Sequence, residues 1–200
     1  MIVITADQRR SRSTPDASAA AVADATAAWK TELLLPVERS AGDEIQLVTD
    51  SAKAAIGIVL QLTRTGRWSV GVGTGAVALA ANTRESTGPA FVAARRAVDR
   101  AKKRATHFAL ESEPEAPLAS HLESLVDLLL LLRQRRTEPG WQLHDILADE
   151  GTQLDAARSL GITPQSVSER AITAGLRADE TATVALATML NMLDTGTREP

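Results

Sequence analysis

Arg39-Ser40-Ala41-Gly42-Asp43-Glu44-Ile45-Gln46 lies between two apolar runs, Leu33 to Val37 and Gln46-Leu47-Val48. Two such runs joined by small and polar residues predict a tight β-hairpin. Gly42 is free to take the left-handed backbone that a side chain resists. The adjacent acids at the tip, Asp43 and Glu44, repel each other. The pattern has two readings: a solvated turn, or oxygen ligands for a divalent cation, which would relieve that repulsion. Asp7 favours the second. It ends the strand Ile2-Val3-Ile4-Thr5-Ala6, and a neighbouring strand would bring it beside Asp43.

The elements around the hairpin follow from local pattern. Ile2 to Ala6 is wholly apolar, the signature of a central strand, and Asp7-Gln8-Arg9-Arg10-Ser11-Arg12 follows it. Ala17 to Leu35 is Ala-rich and predicts a helix. Asp50 or Ser51 caps a second helix to about Arg64, with Ala52, Ala55, Ile56, Val59 and Leu60 on one face. Trp68-Ser69-Val70-Gly71-Val72-Gly73-Thr74-Gly75 alternates strictly, so its second face is nearly bare of side chains. Either a ligand or a helix lies close against that face. Gly88-Pro89 opens a third helix, buried through Phe91, Ala94, Val98 and Ala101, with Arg95, Arg96, Arg100, Lys102, Lys103 and Arg104 on its other side. Thr106 to Leu110 is the last strand. The order β-α-β-β-α-β-α-β predicts a ferredoxin-like, palm-like antiparallel sheet in an α+β chain.

Composition sets bounds. Two hundred residues, 44% of them hydrophobic, suffice for a buried core of Ala, Val, Leu and Ile. Three Trp, two Phe and no Tyr leave little for aromatic base-stacking. The absence of Cys excludes disulfides and thiolate chemistry, and three scattered His do not suggest zinc. No apolar segment reaches membrane-spanning length and no signal peptide precedes the first strand, which predicts a cytoplasmic protein without membrane contact. Residues 1–112 carry 15 Lys and Arg against 11 Asp and Glu, a net +4; residues 113–200 carry 7 against 14, a net -7. That reversal predicts two domains with different partners: an α/β domain over 1–112, a Pro- and Glu-containing linker over 113–117, and an all-helical domain over 118–200.

In the helical part, Leu118 to about Arg136 is one helix. Its run Leu128 to Leu132 is apolar all round, which predicts burial on more than one side. Thr152 with Asp155 approximates a capping box, Leu160-Gly161-Ile162 makes a turn, and Thr163 caps a helix that Pro164 begins. Ala157 and Val167 sit where two helices cross. Residues 152–175 therefore predict a helix-turn-helix, with an ordinary helical hairpin as the other reading. A last helix over 179–194 serves packing or dimerisation.

The first part resembles the SatD family, itself similar to the palm domains of class III nucleotidyl cyclases and GGDEF proteins. The residues that carry this are Ile4-Thr5-Ala6-Asp7 with Ser11-Arg12, Gly42-Asp43-Glu44-Ile45-Gln46, Val70 to Gly75, and Gly88-Pro89-Ala90-Phe91 with Ala94-Arg95. The second part resembles the helix-turn-helix of sigma factor region 4. The palm resemblance implies that Asp7 and Asp43, with Glu44, hold Mg2+ or Mn2+ together with a nucleotide. It also implies that Gly42, Gly71 and Gly73 approach the nucleotide and that Arg95 contacts its phosphate. Phe91 stands where cyclases place an Asn, which implies weak or absent cyclase activity.

These readings rank three functions. First is a DNA-binding, transcription-regulatory homodimer, reading DNA through Thr163, Gln165, Ser166, Ser168 and Arg170, with a palm-like part that binds a metal-nucleotide or dimerises. Second is a metal-dependent nucleotide enzyme of the cyclase or transferase type. Third is a scaffold whose helical part binds protein.

Overall fold

The computed structural model describes residues 1–196 apart from Arg12, Ala41 and Glu115, and the side chain of Glu150. Two residues of the motifs quoted above, Arg12 and Ala41, thus lie outside the described residues, as do Glu115 of the expected linker and residues 197–200.

The described residues form a mixed α+β fold of five strands and eight helices. β1 (Ile2–Gln8) is the middle strand. β3 (Glu44–Thr49) pairs antiparallel on one side of it, and β2 (Glu38–Arg39) pairs antiparallel beyond β3. β4 (Trp68–Gly75) pairs antiparallel on its other side, and β5 (Phe108–Glu113) lies parallel to β4. The sheet order is β2-β3-β1-β4-β5. The expected antiparallel sheet is corrected by that last pair: the helix between β4 and β5 returns the chain to the starting edge, as a parallel crossover must.

The hairpin forms, but with a short first arm. β2 holds two residues, and Leu33 to Val37 contributes a single bridge, Leu33 to Thr49. Gly42 takes φ +69° in the turn, and its carbonyl accepts a hydrogen bond from Arg39 at 2.9 Å.

α1 (Ser18–Trp29), α2 (Ala52–Arg64), α4 (Pro117–Gln134) and α8 (Leu176–Gly196) cover one face of the sheet. The Ser51 hydroxyl caps α2 by accepting from Ala54 N at 3.2 Å. Ile2, Ile4, Ile45, Leu47, Val70, Val72, Phe108 and Leu110 meet Ile56 and Val59 of α2, Leu122 and Val126 of α4, and Leu186 and Leu190 of α8 in one apolar cluster. This core crosses the expected linker. The chain does change from sheet to helix near residue 114, yet α4 and α8 complete the core of the sheet. The run Leu128 to Leu132 is divided: Leu129 and Leu130 are inside, while Leu128 is 63% exposed and Leu131 43%.

α3 (Pro89–Ala101) alone covers the central part of the opposite face, against β4, β5 and β1. α5 (Glu138–Glu150), α6 (Gln153–Leu160) and α7 (Pro164–Thr173) surround a second apolar cluster of Leu143, Ala156, Ala157 and Val167. No helix among the described residues is long and apolar enough to cross a membrane.

Candidate functional site

The bare face of β4 is filled by α3. A Cβ on Gly71 would stand 2.2 Å from Val98 N and 2.6 Å from the Ala94 carbonyl oxygen; one on Gly73 would stand 2.2 Å from the Ala90 oxygen and 2.3 Å from Ala94 N. The helix presents Ala90, Ala94, Ala97 and Ala101, all fully buried. Small residues on both partners let helix and strand backbones touch. Of the two readings of this face, close helix packing is correct, and Gly71 and Gly73 are not placed to meet a nucleotide. Gly42 lies at the exposed turn and contributes backbone conformation.

Asp7 and Glu44 are direct cross-strand partners, so their side chains share the α3 side of the sheet. Their repulsion is relieved from within the protein. Arg95 and Lys102 are seven residues apart, two turns along α3 and its C-terminal cap, and therefore share a helix face. Arg95 pairs with the buried Glu44, and Lys102 Nζ lies 3.0 Å from an Asp7 carboxylate oxygen. Burial opposes the Lys102 charge, but Asp7 and Asp99 outweigh it and raise its pKa. Asp43 lies in the turn one residue before β3, and its carbonyl accepts a hydrogen bond from Gln8 N.

Of the residues expected to hold Mg2+ or Mn2+, Asp7 and Glu44 carry cations of the chain itself, and Asp43 lies in the turn beside them. Among the described residues no group of three or more His, Asp or Glu side chains is arranged to hold a metal ion. Arg95, the expected phosphate ligand, is paired with Glu44.

The other basic residues of α3 are also engaged. Arg96 reaches Glu111 and Glu113 at 2.7 and 2.8 Å. Arg100 reaches Glu111 at 3.1 Å and Glu123 at 2.7 Å, and Arg104 pairs with Glu123 and Asp127. Through Arg96, Arg100 and Arg104 the positive half of the chain meets Glu113, Glu123 and Asp127 of the negative half across the α3–β5–α4 seam.

The helix-turn-helix pattern reappears residue by residue. The Thr152 hydroxyl accepts from Asp155 N and the Thr163 hydroxyl from Ser166 N, each at 3.1 Å. Gly161 makes the turn at φ +63°. Val167 is fully buried beside Ala157, whereas Thr163, Gln165 and Ser166 are exposed and Ser168 and Arg170 half-buried. All five expected DNA-reading residues thus lie on one helix and its cap. Gln165 Nε2 donates to Glu169 at 3.1 Å. Ile172 is apolar yet 77% exposed.

A second cluster, which sequence reasoning passed over, fastens this unit to the sheet-bearing part. The guanidinium groups of Arg64, Arg133 and Arg136 lie 4.2, 4.8 and 4.4 Å from the Trp141 ring centroid. Arg133 and Arg136 both donate to Asp179 of α8, at 2.6 and 2.7 Å, and all three side chains are buried. Arg64 of α2 forms two 2.7 Å hydrogen bonds to Asp145 of α5. Burial presses the neighbouring His144 towards its neutral form. Arg133 and Arg136 stand at the end of a helix, a visible signal, but their partner Asp179 lies more than forty residues later and has no local mark.

No family model, curated protein or solved structure matches this chain.

Proposed function

We propose that the chain is a DNA-binding regulator that reads DNA through α7. One observation carries this reading: the apolar side of α7 closes its own cluster with α5 and α6, while Thr163, Gln165 and Ser166 stand in solvent at its N-terminal end. In a helix-turn-helix that end enters the major groove. Gln165 has the donor and acceptor to pair with adenine once released from Glu169. Ser166 and Ser168 suit phosphate or base edges, and Arg170 suits phosphate or guanine.

Charge then sets the mode of binding. Residues 151–178 carry three Arg against Asp155 and Glu169, and the cations of α3 face acids of their own chain. Phosphate contacts dominate affinity, so a single copy binds weakly. A homodimer presenting two α7 helices about 34 Å apart gains the second half-site. The sheet-bearing part supplies the rigid frame, through the Trp141 and Asp179 junction, on which two reading heads would be held.

Fluorescence anisotropy against duplexes enriched from a random pool tests this. The Gln165→Ala, Arg170→Ala double variant should bind the enriched duplex roughly ten- to a hundredfold more weakly, the loss of one base-directed pair and one phosphate contact, with an unchanged thermal melt. Equal affinity of the two proteins, or no enrichment by wild type, removes the DNA-reading role.

A further inference from the structure

Beyond α7, the exit of the middle strand opens into a cleft of about 420 Å³ between the β1–α1 loop and the end of α3. That is within the range of small-ligand sites, about 300–1,000 Å³. Arg9, Arg10, Ser11, Ser69, Lys102 and His107 line it, with Asp7 beside Lys102.

Its charge is unbalanced. Arg96, Arg100 and Arg104 are each answered by carboxylates, but among the described residues neither Arg9 nor Arg10 has an acidic partner. Lys102 is answered by Asp7 and Asp99, which leaves Arg9 and Arg10 without a carboxylate among the described residues, and burial, together with the field of Arg9, pushes the His107 pKa down.

Its backbone is unusual in the same place. Among the described residues the non-glycine positions with positive φ are Arg10 at +56° and His107 at +53°. Both line this cleft, one on each side. Such conformations cost free energy, and they collect at ligand sites held by their surroundings. Here the surroundings are visible. The Arg10 carbonyl accepts from Ser13 N at 2.8 Å and Thr14 N at 3.0 Å. The buried Gln8 side chain accepts from Ala17 N at 2.7 Å and donates to the Pro15 carbonyl at 2.8 Å, pinning the loop. His107 is set by its carbonyl, which accepts from Val70 N at 2.8 Å. The cleft is thus preformed, which lowers the cost of binding.

A concave, positive site with two serine hydroxyls and almost no aromatic surface selects an oxyanion rather than a base or an apolar body. We propose that this cleft binds the phosphate group of a small phosphorylated molecule, with Arg9 and Arg10 as the cationic contacts and Ser11 and Ser69 as hydroxyl donors. The site shares no residue with α7 and stands whether or not α7 reads DNA.

Inorganic pyrophosphate, titrated calorimetrically into the full chain without divalent metal, is the probe. Arg10→Asn and Arg10→Gly both tolerate the left-handed backbone at this position, so each removes the charge while keeping the loop. Wild type should bind, and both variants should bind about tenfold or more weakly, as expected for one lost charge-assisted contact. Absence of binding by wild type up to millimolar pyrophosphate overturns the proposal, as does unchanged affinity in both variants. A mixed-sequence DNA duplex run in parallel separates sources of phosphate. If the Arg10 variants lose duplex binding to the same degree and pyrophosphate competes with the duplex, the cleft is a DNA-backbone contact and the small-molecule site is refuted.

Discussion

Gly73→Ala should destabilise the protein by roughly 3–5 kcal/mol, a large share of the roughly 5–15 kcal/mol that holds a domain folded. The added Cβ would stand 2.2 Å from the Ala90 carbonyl oxygen and 2.3 Å from Ala94 N. Both are backbone atoms of α3, so no rotamer change relieves the clash. The helix must lift from β4, and it takes the contacts of Ala90, Ala94 and Ala97 with it. Gly42→Ala is the control. Nothing lies within 4 Å of its Cβ position, so only the left-handed backbone at φ +69° is penalised, at about 1–2 kcal/mol. Urea denaturation measures both. A Gly73→Ala loss no larger than that of Gly42→Ala would mean that α3 does not rest on the strand.

Asp179→Ala should have an effect of similar size for a different reason. It removes the acceptor shared by Arg133 and Arg136, whose side chains are 9% and 0% exposed, and leaves two buried cations without a carboxylate. Removing one partner of a buried ion pair costs about 3–5 kcal/mol. Stacking on Trp141, worth roughly 0.5–2 kcal/mol per cation, was present beforehand and does not grow to compensate. Burial alone would raise the Asp179 pKa, but Arg133 and Arg136 outweigh it and hold it below the ordinary carboxylate value. Its contribution is therefore fully present above the unfolded-state pKa, near 3.9, and is lost as pH falls through the lower folded-state value. Wild type should lose stability in acid, and Asp179→Asn should start lower at neutral pH and show a flatter acid limb. Equal stability of wild type and Asp179→Asn at pH 7 would refute the account.

Local chemistry was legible because local chemistry decides it. The alternation of Trp68 to Gly75, the Gly42 turn, the Ser51, Thr152 and Thr163 caps and the Gly161 turn each depend on residues within a few positions. What the sequence left open depends on distant partners. Whether Gly71 and Gly73 meet a ligand or a helix is settled by the alanines of α3, about twenty residues on. The parallel β4–β5 pair is a property of the crossover between them, which alternation does not record. Leu128 to Leu132 read as buried on more than one side because a run of leucines carries no face; the arrival of α8 and the sheet chooses Leu129 and Leu130. The acids at the strand ends looked like metal ligands because carboxylates in proximity need a counter-charge. That need was real, and Lys102 and Arg95 meet it. The charge reversal between the halves is real as well, and part of it is met within the chain, where Arg100 and Arg104 face Glu123 and Asp127.

The central place of β1 has a consequence for the order of assembly. β1 comes first in the chain yet takes its partners from β3 and β4 on either side, and its inner face is closed by helices as distant as Leu186 and Leu190 of α8. Its stabilising contacts therefore all come late, each across a long loop whose closure entropy is lost before the contact rewards it. Until then a strand of Ile, Val and Ala waits with both edges unpaired, the kind of segment that finds the wrong neighbour in a crowded solution. By contrast, α5 to α7 are joined by short turns and close their own cluster early. The expected kinetic signature is a fast helical phase followed by a slower one limited by the sheet, with aggregation during refolding confined to the interval between them.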